Sequence, residues 1–215
     1  MKKIIMIISL LGAIMASCNK DSEGVSTMTT YPTVELKGDE ALTILVGGSY
    51  TESGVIAKEG DTDISSTVVI DGAVNTSTPG VYTIKYTATN KDGFTATARR
   101  YVGVITAEAA AMDISGTYKR NAGALGLVSV TKTNYPGLYI NNNPGGAKNS
   151  DGTNVSDIYV YMFQTKATVV NAPSQDTKVG EFACINGVYD ATNNLFKWVC
   201  VNSGYGTALR TFIKQ

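Results

Sequence analysis

The sequence predicts an all-β protein of two modules: a β-sandwich, then a second antiparallel β-sandwich or partly closed barrel. Three observations carry this. Beyond residue 30 the apolar residues fall in short alternating runs, separated at even intervals by Gly, Asp and Asn. That region keeps no sustained helical period. One Ala-rich segment, Thr106-Ala107-Glu108-Ala109-Ala110-Ala111-Met112-Asp113, breaks the strand pattern and is too short for a stable isolated helix, which places a linker at 106–113.

The first eighteen residues have a different character. Lys2 and Lys3 precede an apolar run from Ile4 to Met15, followed by the small residues Ala16 and Ser17 and by Cys18. The run is shorter than the ~20 residues a bilayer-spanning helix needs but long enough for a cleavable export segment. Met15-Ala16-Ser17-Cys18 resembles the lipobox, which implies removal of a signal peptide at 1–17 and lipidation of Cys18. Residues 18–30 are small, polar and aperiodic, a flexible tether. Within it Lys20-Asp21-Ser22-Glu23 resembles the acidic surface-export signal of Bacteroidetes lipoproteins, a solvated spacer being the other reading. These resemblances imply an outer-membrane lipoprotein facing the cell surface, with the periplasmic face as the alternative and the membrane as partner through the lipid.

Residues 31–105 form the first module. In Gly80 to Ala88, Tyr82, Ile84, Tyr86 and Ala88 point to one face and Val81, Thr83, Lys85 and Thr87 to the other. The turn cluster Asn90-Lys91-Asp92-Gly93 returns the chain along Phe94 to Val104, and Ala41–Val46 and Thr67–Ile70 read as further strands. Gly48-Ser49-Tyr50, Gly54-Val55-Ile56-Ala57, Thr78-Pro79-Gly80 with the strand after it, and Asp92-Gly93 together resemble the Ig-like domains of bacterial surface and crystal-toxin proteins. The resemblance implies an Ig-like β-sandwich acting as a spacer. Asn90 stands where that family often has Asp, which counts against a calcium role. Tyr82 and Tyr86 read as core aromatics.

Charge and histidine content exclude several function classes. The chain has 18 basic and 18 acidic residues; without Lys2 and Lys3 the balance is 16 against 18, a net charge of −2. Nucleic-acid binding needs a concentrated basic patch, and the adjacent basic pair Arg99-Arg100 lies in a strand pattern, so no nucleic-acid partner is expected. With no histidine, Ser-His-Asp and Cys-His chemistry and His-ligated zinc are excluded. No metal, cofactor or enzymatic activity is expected. The carboxylates Asp157, Glu181 and Asp190 have no spacing that marks a glycosidase pair.

Cys184 and Cys200 are the cysteines left after Cys18. A hairpin folded about the turn-like Asp190-Ala191-Thr192-Asn193-Asn194 sets them face to face. Two outcomes stay open there: a disulfide, which export permits, or a pair of buried thiols.

Residues 114–215 form the second module. Its strand candidates are Leu125–Thr131, Leu138–Ile140, Asp157–Phe163, Lys178–Ile185, Leu195–Val201 and Thr207–Ile213, after a start at Ile114 to Tyr118. The run Ile158-Tyr159-Val160-Tyr161-Met162-Phe163 is apolar on both faces, aliphatic on one and aromatic on the other, as suits a strand covered twice or binding something on one side. The polar stretch from Asn141 to Asn154 is the longest loop, with Tyr135 and Tyr139 before it and Tyr159 and Tyr161 after it. Tyrosine rings stack on sugar C–H faces while amides and carboxylates bond hydroxyls. The candidate ligand residues are therefore Tyr135, Tyr139, Asn141, Asn142, Asn143, Asn149, Asp151, Tyr159, Tyr161 and Trp198, the single tryptophan. A mobile surface loop and a core Trp198, in phase with Phe196 and Cys200, are the competing readings.

The order of parts, lipobox, Ig-like module, then a domain opening with Ser115-Gly116-Thr117-Tyr118 and closing in a Trp-bearing hairpin, resembles two-domain Bacteroides lipoproteins of uncharacterised function. Some of these accompany outer-membrane glycan-uptake systems. The resemblance implies a non-catalytic binding module for a polysaccharide, the alternative being a structural or adhesive protein that docks to an outer-membrane protein.

Overall fold

The computed structural model describes residues 29–215. The signal peptide 1–17, the lipidation at Cys18 and the tether as far as residue 28 lie outside the described residues. The first module is a sandwich of two sheets. One holds β1 (Pro32–Leu36), β3 (Val55–Glu59) and β4 (Thr62–Asp63), in that order. The other holds β2 (Ala41–Leu45), β7 (Thr95–Ile105), β6 (Gly80–Thr89) and β5 (Val69–Asp71), with β2 parallel to β7 and the remaining pairs antiparallel. The alternation read in β6 holds: Ile84, Tyr86 and Ala88 are buried between the sheets, and Thr83 and Lys85 are exposed. Ile84 and Tyr86 pack with Val55 from β3, and the half-buried Leu36 and Tyr50 pack against them.

The same period-two rule splits the basic pair in β7. Arg100 turns into the sandwich, is 1 % exposed, and pairs with Glu52 Oε1 at 2.8 Å. Its guanidinium also donates to the carbonyls of Lys37 and Gly54, and Tyr50 Oη donates to the other oxygen of Glu52. A buried cation is tolerated only when its charge is paired, and here both terminal guanidinium nitrogens also find acceptors. Arg99 points out of the opposite face, toward the second module.

Eight strands build the second module: β8 (Gly116–Arg120), β9 (Leu127–Lys132), β10 (Leu138–Asn141), β11 (Val160–Lys166), β12 (Val169–Thr177), β13 (Gly180–Asp190), β14 (Leu195–Val201) and β15 (Leu209–Lys214). Each pairs antiparallel with the next, and β15 returns to β8, so the sheet closes completely. Of the sandwich and the barrel, the barrel is observed. Eight strands leave an interior just wide enough for side chains, and here it is filled by aromatics. Phe196 and Phe212 stack at 4.7 Å and 15°, and Trp198 meets Phe196 edge-on at 4.8 Å. Tyr118, Tyr139, Phe182 and Met162 complete the same cluster.

Residues 31–215 form one compact unit, and the reason is the packing between the two modules. Ala41 and Tyr101 of the sandwich share a buried cluster with Leu138 and Phe163 of the barrel. Thr43 Oγ1 donates to Pro136 O at 2.7 Å, and Tyr101 Oη to Ser174 O at 3.1 Å. The linker is fixed as well. Residues Ala107–Ala111 form a short helix, α1, whose first turn is capped by Thr106 Oγ1, while Thr106 N–H donates to Thr165 O of β11 at 3.0 Å. The Ig-like module therefore packs directly on the second one. It is a wall built against the barrel.

β11 shows how the second module accommodates that wall. Val160 and Met162 point into the barrel; Tyr161 and Phe163 point out, to the sandwich. The aliphatic and aromatic faces distinguished in the sequence are the inside and the module interface.

Candidate functional site: the cleft between the modules

Where sandwich and barrel diverge they leave a cleft of about 510 Å³. The sandwich contributes Leu36, Glu40, Arg99 and Tyr101; the barrel contributes Tyr159, Tyr161, Gln175 and Asp176. Glu40 sits in the turn just before β2, and Arg99 and Tyr101 project from one face of β7 because they are two residues apart. Tyr161 lies on the outer face of β11, and Asp176 on its neighbour β12.

Its walls carry rings and polar groups side by side. Tyr101 and Tyr161 lie 6.1 Å apart at 46°, and Tyr159 is 59 % exposed at the mouth. Tyr161 Oη donates to Glu40 Oε2 at 3.2 Å across the two modules. Arg99 Nη1 pairs with Asp176 at 2.9 Å and its Nη2 with Glu181 at 3.4 Å, also across the modules. Gln175 is buried: its Oε1 accepts from Tyr161 N–H at 2.7 Å and its Nε2 donates to Tyr161 O and Pro173 O, which fixes the ring-bearing strand. Burial, and next the Glu40 carboxylate, push the Tyr161 phenol up to about 12. Burial does the same to Tyr101, against the opposing charge of Arg99. Both phenols therefore stay neutral donors over any ordinary pH.

Among the residues singled out from sequence, Tyr159 and Tyr161 line this cleft. Tyr135 does not, but its hydroxyl donates to Asp39, one residue before Glu40, and so joins the modules beside it.

The others are elsewhere, and four are corrections. Tyr139 is fully buried; its hydroxyl donates to Met112 O at 3.2 Å and accepts from Ile114 N–H at 3.3 Å, pinning the end of the linker inside the barrel. Trp198 is also fully buried, with Nε1 donating to Pro144 O at 2.9 Å. Asn141 and Asn143 are at zero exposure too. They belong to a plug, residues 141–147, that folds back into the barrel and replaces the mobile or ligand-binding loop expected there. Asn143 holds the plug, donating to Leu127 O and Ala147 O and accepting from Ala147 N–H at 2.9 Å. Pro144-Gly145-Gly146 needs its glycines: a Cβ on Gly145 would stand 1.9 Å from the Tyr205 ring, and Gly146 has φ of 58° beside Phe212. An unpaired backbone buried this deeply is costly, which is why asparagine amides surround it.

Asn142 is half-buried and binds the plug to β9 through Ser129 N–H at 2.7 Å. Asn149 and Asp151 are exposed but tied into their own turn, both bonding Thr153, and they do not line the cleft. Asp157 and Glu181 are ion-paired to Lys178 and Arg99, while Asp190 caps the β13–β14 turn, so the three acids serve separate structural roles.

Sequence reasoning missed Glu40, Arg99, Tyr101, Gln175 and Asp176. The one usable signal was Arg99-Arg100: two adjacent arginines in a strand must face opposite ways, and only one fits a sandwich core.

Comparison with known proteins bears on the first module. Residues 34–104 match the family model for the Ig-like domain of bacterial surface proteins, which spans β1 to the end of β7 and covers about a third of the chain. No curated protein matches the sequence. Among solved structures, the chain is similar to a lipoprotein from Bacteroides thetaiotaomicron, at 23 % identity over 86 % of this chain and 100 % of that one, with a TM-score of 0.38. It is also similar to part of ZmpB from Clostridium perfringens, solved as an M60 catalytic domain with two CBM51 domains. That likeness has 17 % identity over 68 % of this chain and 14 % of that one, with a TM-score of 0.32.

Proposed function

We propose that the protein is a membrane-anchored, surface-facing lipoprotein that binds a glycan in the cleft between its modules and leaves it chemically unchanged. The observation that carries this is the exposed Tyr159 and half-buried Tyr161 beside Glu40 and Asp176 in an open cavity, with the buried Tyr101 packed behind Tyr161. Rings supply the stacking surface for sugar C–H faces, and the carboxylates supply acceptors for hydroxyls. The cavity's size falls within the ordinary range of small-ligand sites. Capture for an outer-membrane uptake system is the role this reading serves, with the lipid at Cys18 keeping the cleft at the membrane.

Affinity electrophoresis of the full chain through gels holding different polysaccharides tests it. Retardation that is lost in Tyr159→Ala and Tyr161→Ala, with unchanged circular dichroism, supports the reading. Migration unaffected by every polysaccharide overturns it.

A second reading, docking to an outer-membrane protein, has one observation in its favour. Ile185, Val199 and Leu209 sit directly opposite one another on β13, β14 and β15, and Ile185 and Leu209 are 43 % and 60 % exposed on the outer wall of the barrel. Co-purification of a membrane protein that is lost in Leu209→Lys supports this reading instead.

A further inference from the structure

Resting on the cleft as a glycan site, we infer that it selects sugars without acidic groups and rejects uronic and sulfated chains. The charge of the cleft decides this. Among the described residues, Arg99 is the one cation lining the cleft. Two carboxylates, Asp176 and Glu181, already hold it, one on each guanidinium nitrogen. An anionic sugar would have to displace one of them to reach it.

Nothing offsets the remaining acids. Glu40 accepts from the Tyr161 hydroxyl, and no cation stands within ion-pair distance of it among the described residues. Asp39 beside it is engaged by the Tyr135 hydroxyl, again a neutral donor. The rings that stack a sugar are thus bordered by one neutralised arginine and by carboxylates bonded only to phenols. Two phenolic hydroxyls facing two carboxylates mimic what a polyol does: they present O–H groups to acceptors. A neutral glycan, or one with an amine, makes those bonds. A carboxylate or sulfate placed there meets like charge over a distance shorter than the screening length of a physiological buffer.

The test uses the full chain in detergent and gels cast with mannan, with a neutral β-glucan, or with polygalacturonate. The wild type is expected to be retarded by at least one neutral polymer, and roughly tenfold more weakly by polygalacturonate. Glu40→Gln removes one charge and keeps the acceptor, and Asp176→Asn with Glu181→Gln releases Arg99. Each is expected to raise the ratio of polygalacturonate to neutral retardation, and added salt is expected to raise it in the wild type. Equal or stronger retardation of the wild type by polygalacturonate overturns the inference and leaves the glycan site standing. A ratio unmoved by both variants overturns the assignment of selectivity to these acids. Retardation by none of the polymers overturns the glycan reading itself.

Discussion

Gly103 of the sandwich faces Phe163 of the barrel so closely that a Cβ on Gly103 would stand 2.6 Å from the Phe163 ring. The backbone of β7 and the ring of β11 are in direct contact. Gly103→Val is expected to force the strands apart, at about 1–3 kcal/mol for overpacking. Phe163→Ala empties the same contact from the other side, at about 3–5 kcal/mol. Both should turn a single thermal transition into two and expose 106–113 to protease. One unaltered transition in both variants would show that the modules are not coupled here.

Trp198 reports on the plug and not on the cleft. It is buried and bonded to Pro144 O, so its emission should be blue-shifted, resist aqueous quenchers and ignore any glycan. Trp198→Phe leaves the Pro144 carbonyl without that donor, a loss of about 1–3 kcal/mol. Affinity measured below the melting temperature should hold. A glycan-dependent change in the emission of Trp198 would contradict this placement.

Much of the fold was legible because period-two patterning is a local signal. The two faces of β11, the inward Ile84, Tyr86 and Ala88, and the strand Leu195–Val201 all follow from it. β12 escaped because Pro173 sits inside it; the strand tolerates the proline by shifting register on both sides of Ala172. A hairpin folded symmetrically about Thr192 sets Cys184 opposite Cys200, the right pairing for an incomplete reason. The turn is centred half a residue later, so Tyr189 pairs with Phe196, and an extra residue at Asn186–Gly187 restores the Cys184–Cys200 pairing. The site was less legible because it is assembled from two modules. Tyr159 and Tyr161 stood out as aromatics near a polar loop, but Glu40 and Arg99 meet them only through packing that no local pattern encodes. The Asn-rich run misled for a physical reason: amides that look ready for sugar hydroxyls are equally suited to a buried backbone.

Cys184 and Cys200 are free thiols with Sγ atoms 3.9 Å apart, both fully buried. A disulfide needs about 2.05 Å, so joining them takes a modest side-chain movement and no change of register. Burial pushes the Cys184 thiol up. A hydrogen bond from Cys184, helped by the charges of Arg210 and Arg120, lowers Cys200, which makes Cys200 the first to ionise. A disulfide exchange reagent should therefore react slowly in the folded protein and yield an intramolecular Cys184–Cys200 bond. Peptide mapping that finds intermolecular dimers or stable mixed disulfides instead would refute this.

Alkaline pH should unfold the protein through its tyrosines. Burial first and then Glu52 push Tyr50 up to about 12, and Tyr101 and Tyr161 reach about 12 as well. A folded value raised above the ordinary one of about 10 means stability that is complete below pH 10 and falls as pH rises toward 12. Tyrosinate absorbance and loss of strand signal should rise together in that window. Ionisation of these three rings with the fold intact would contradict it.

At the acid end the pair Glu52–Arg100 governs the sandwich. Burial pushes the Glu52 carboxyl up, but hydrogen bonds from Tyr50 and Gly54 N–H, with the Arg100 charge, outweigh it and hold the group below the ordinary carboxylate range. A depressed folded value contributes stability that is present above the unfolded value of about 4.3 and lost as pH falls through the folded one. Glu52→Gln removes that dependence and also leaves Arg100, at 1 % exposure, without its counter-charge. Breaking a fully buried pair costs about 3–5 kcal/mol. With the Glu52 side chain 26 % exposed, solvent screening reduces that figure. Urea denaturation from pH 3 to 7 should show the wild type losing stability toward the acid end, and Glu52→Gln less stable at pH 7 with a flatter profile. Parallel profiles for the two proteins would mean that Glu52 is not the group that titrates.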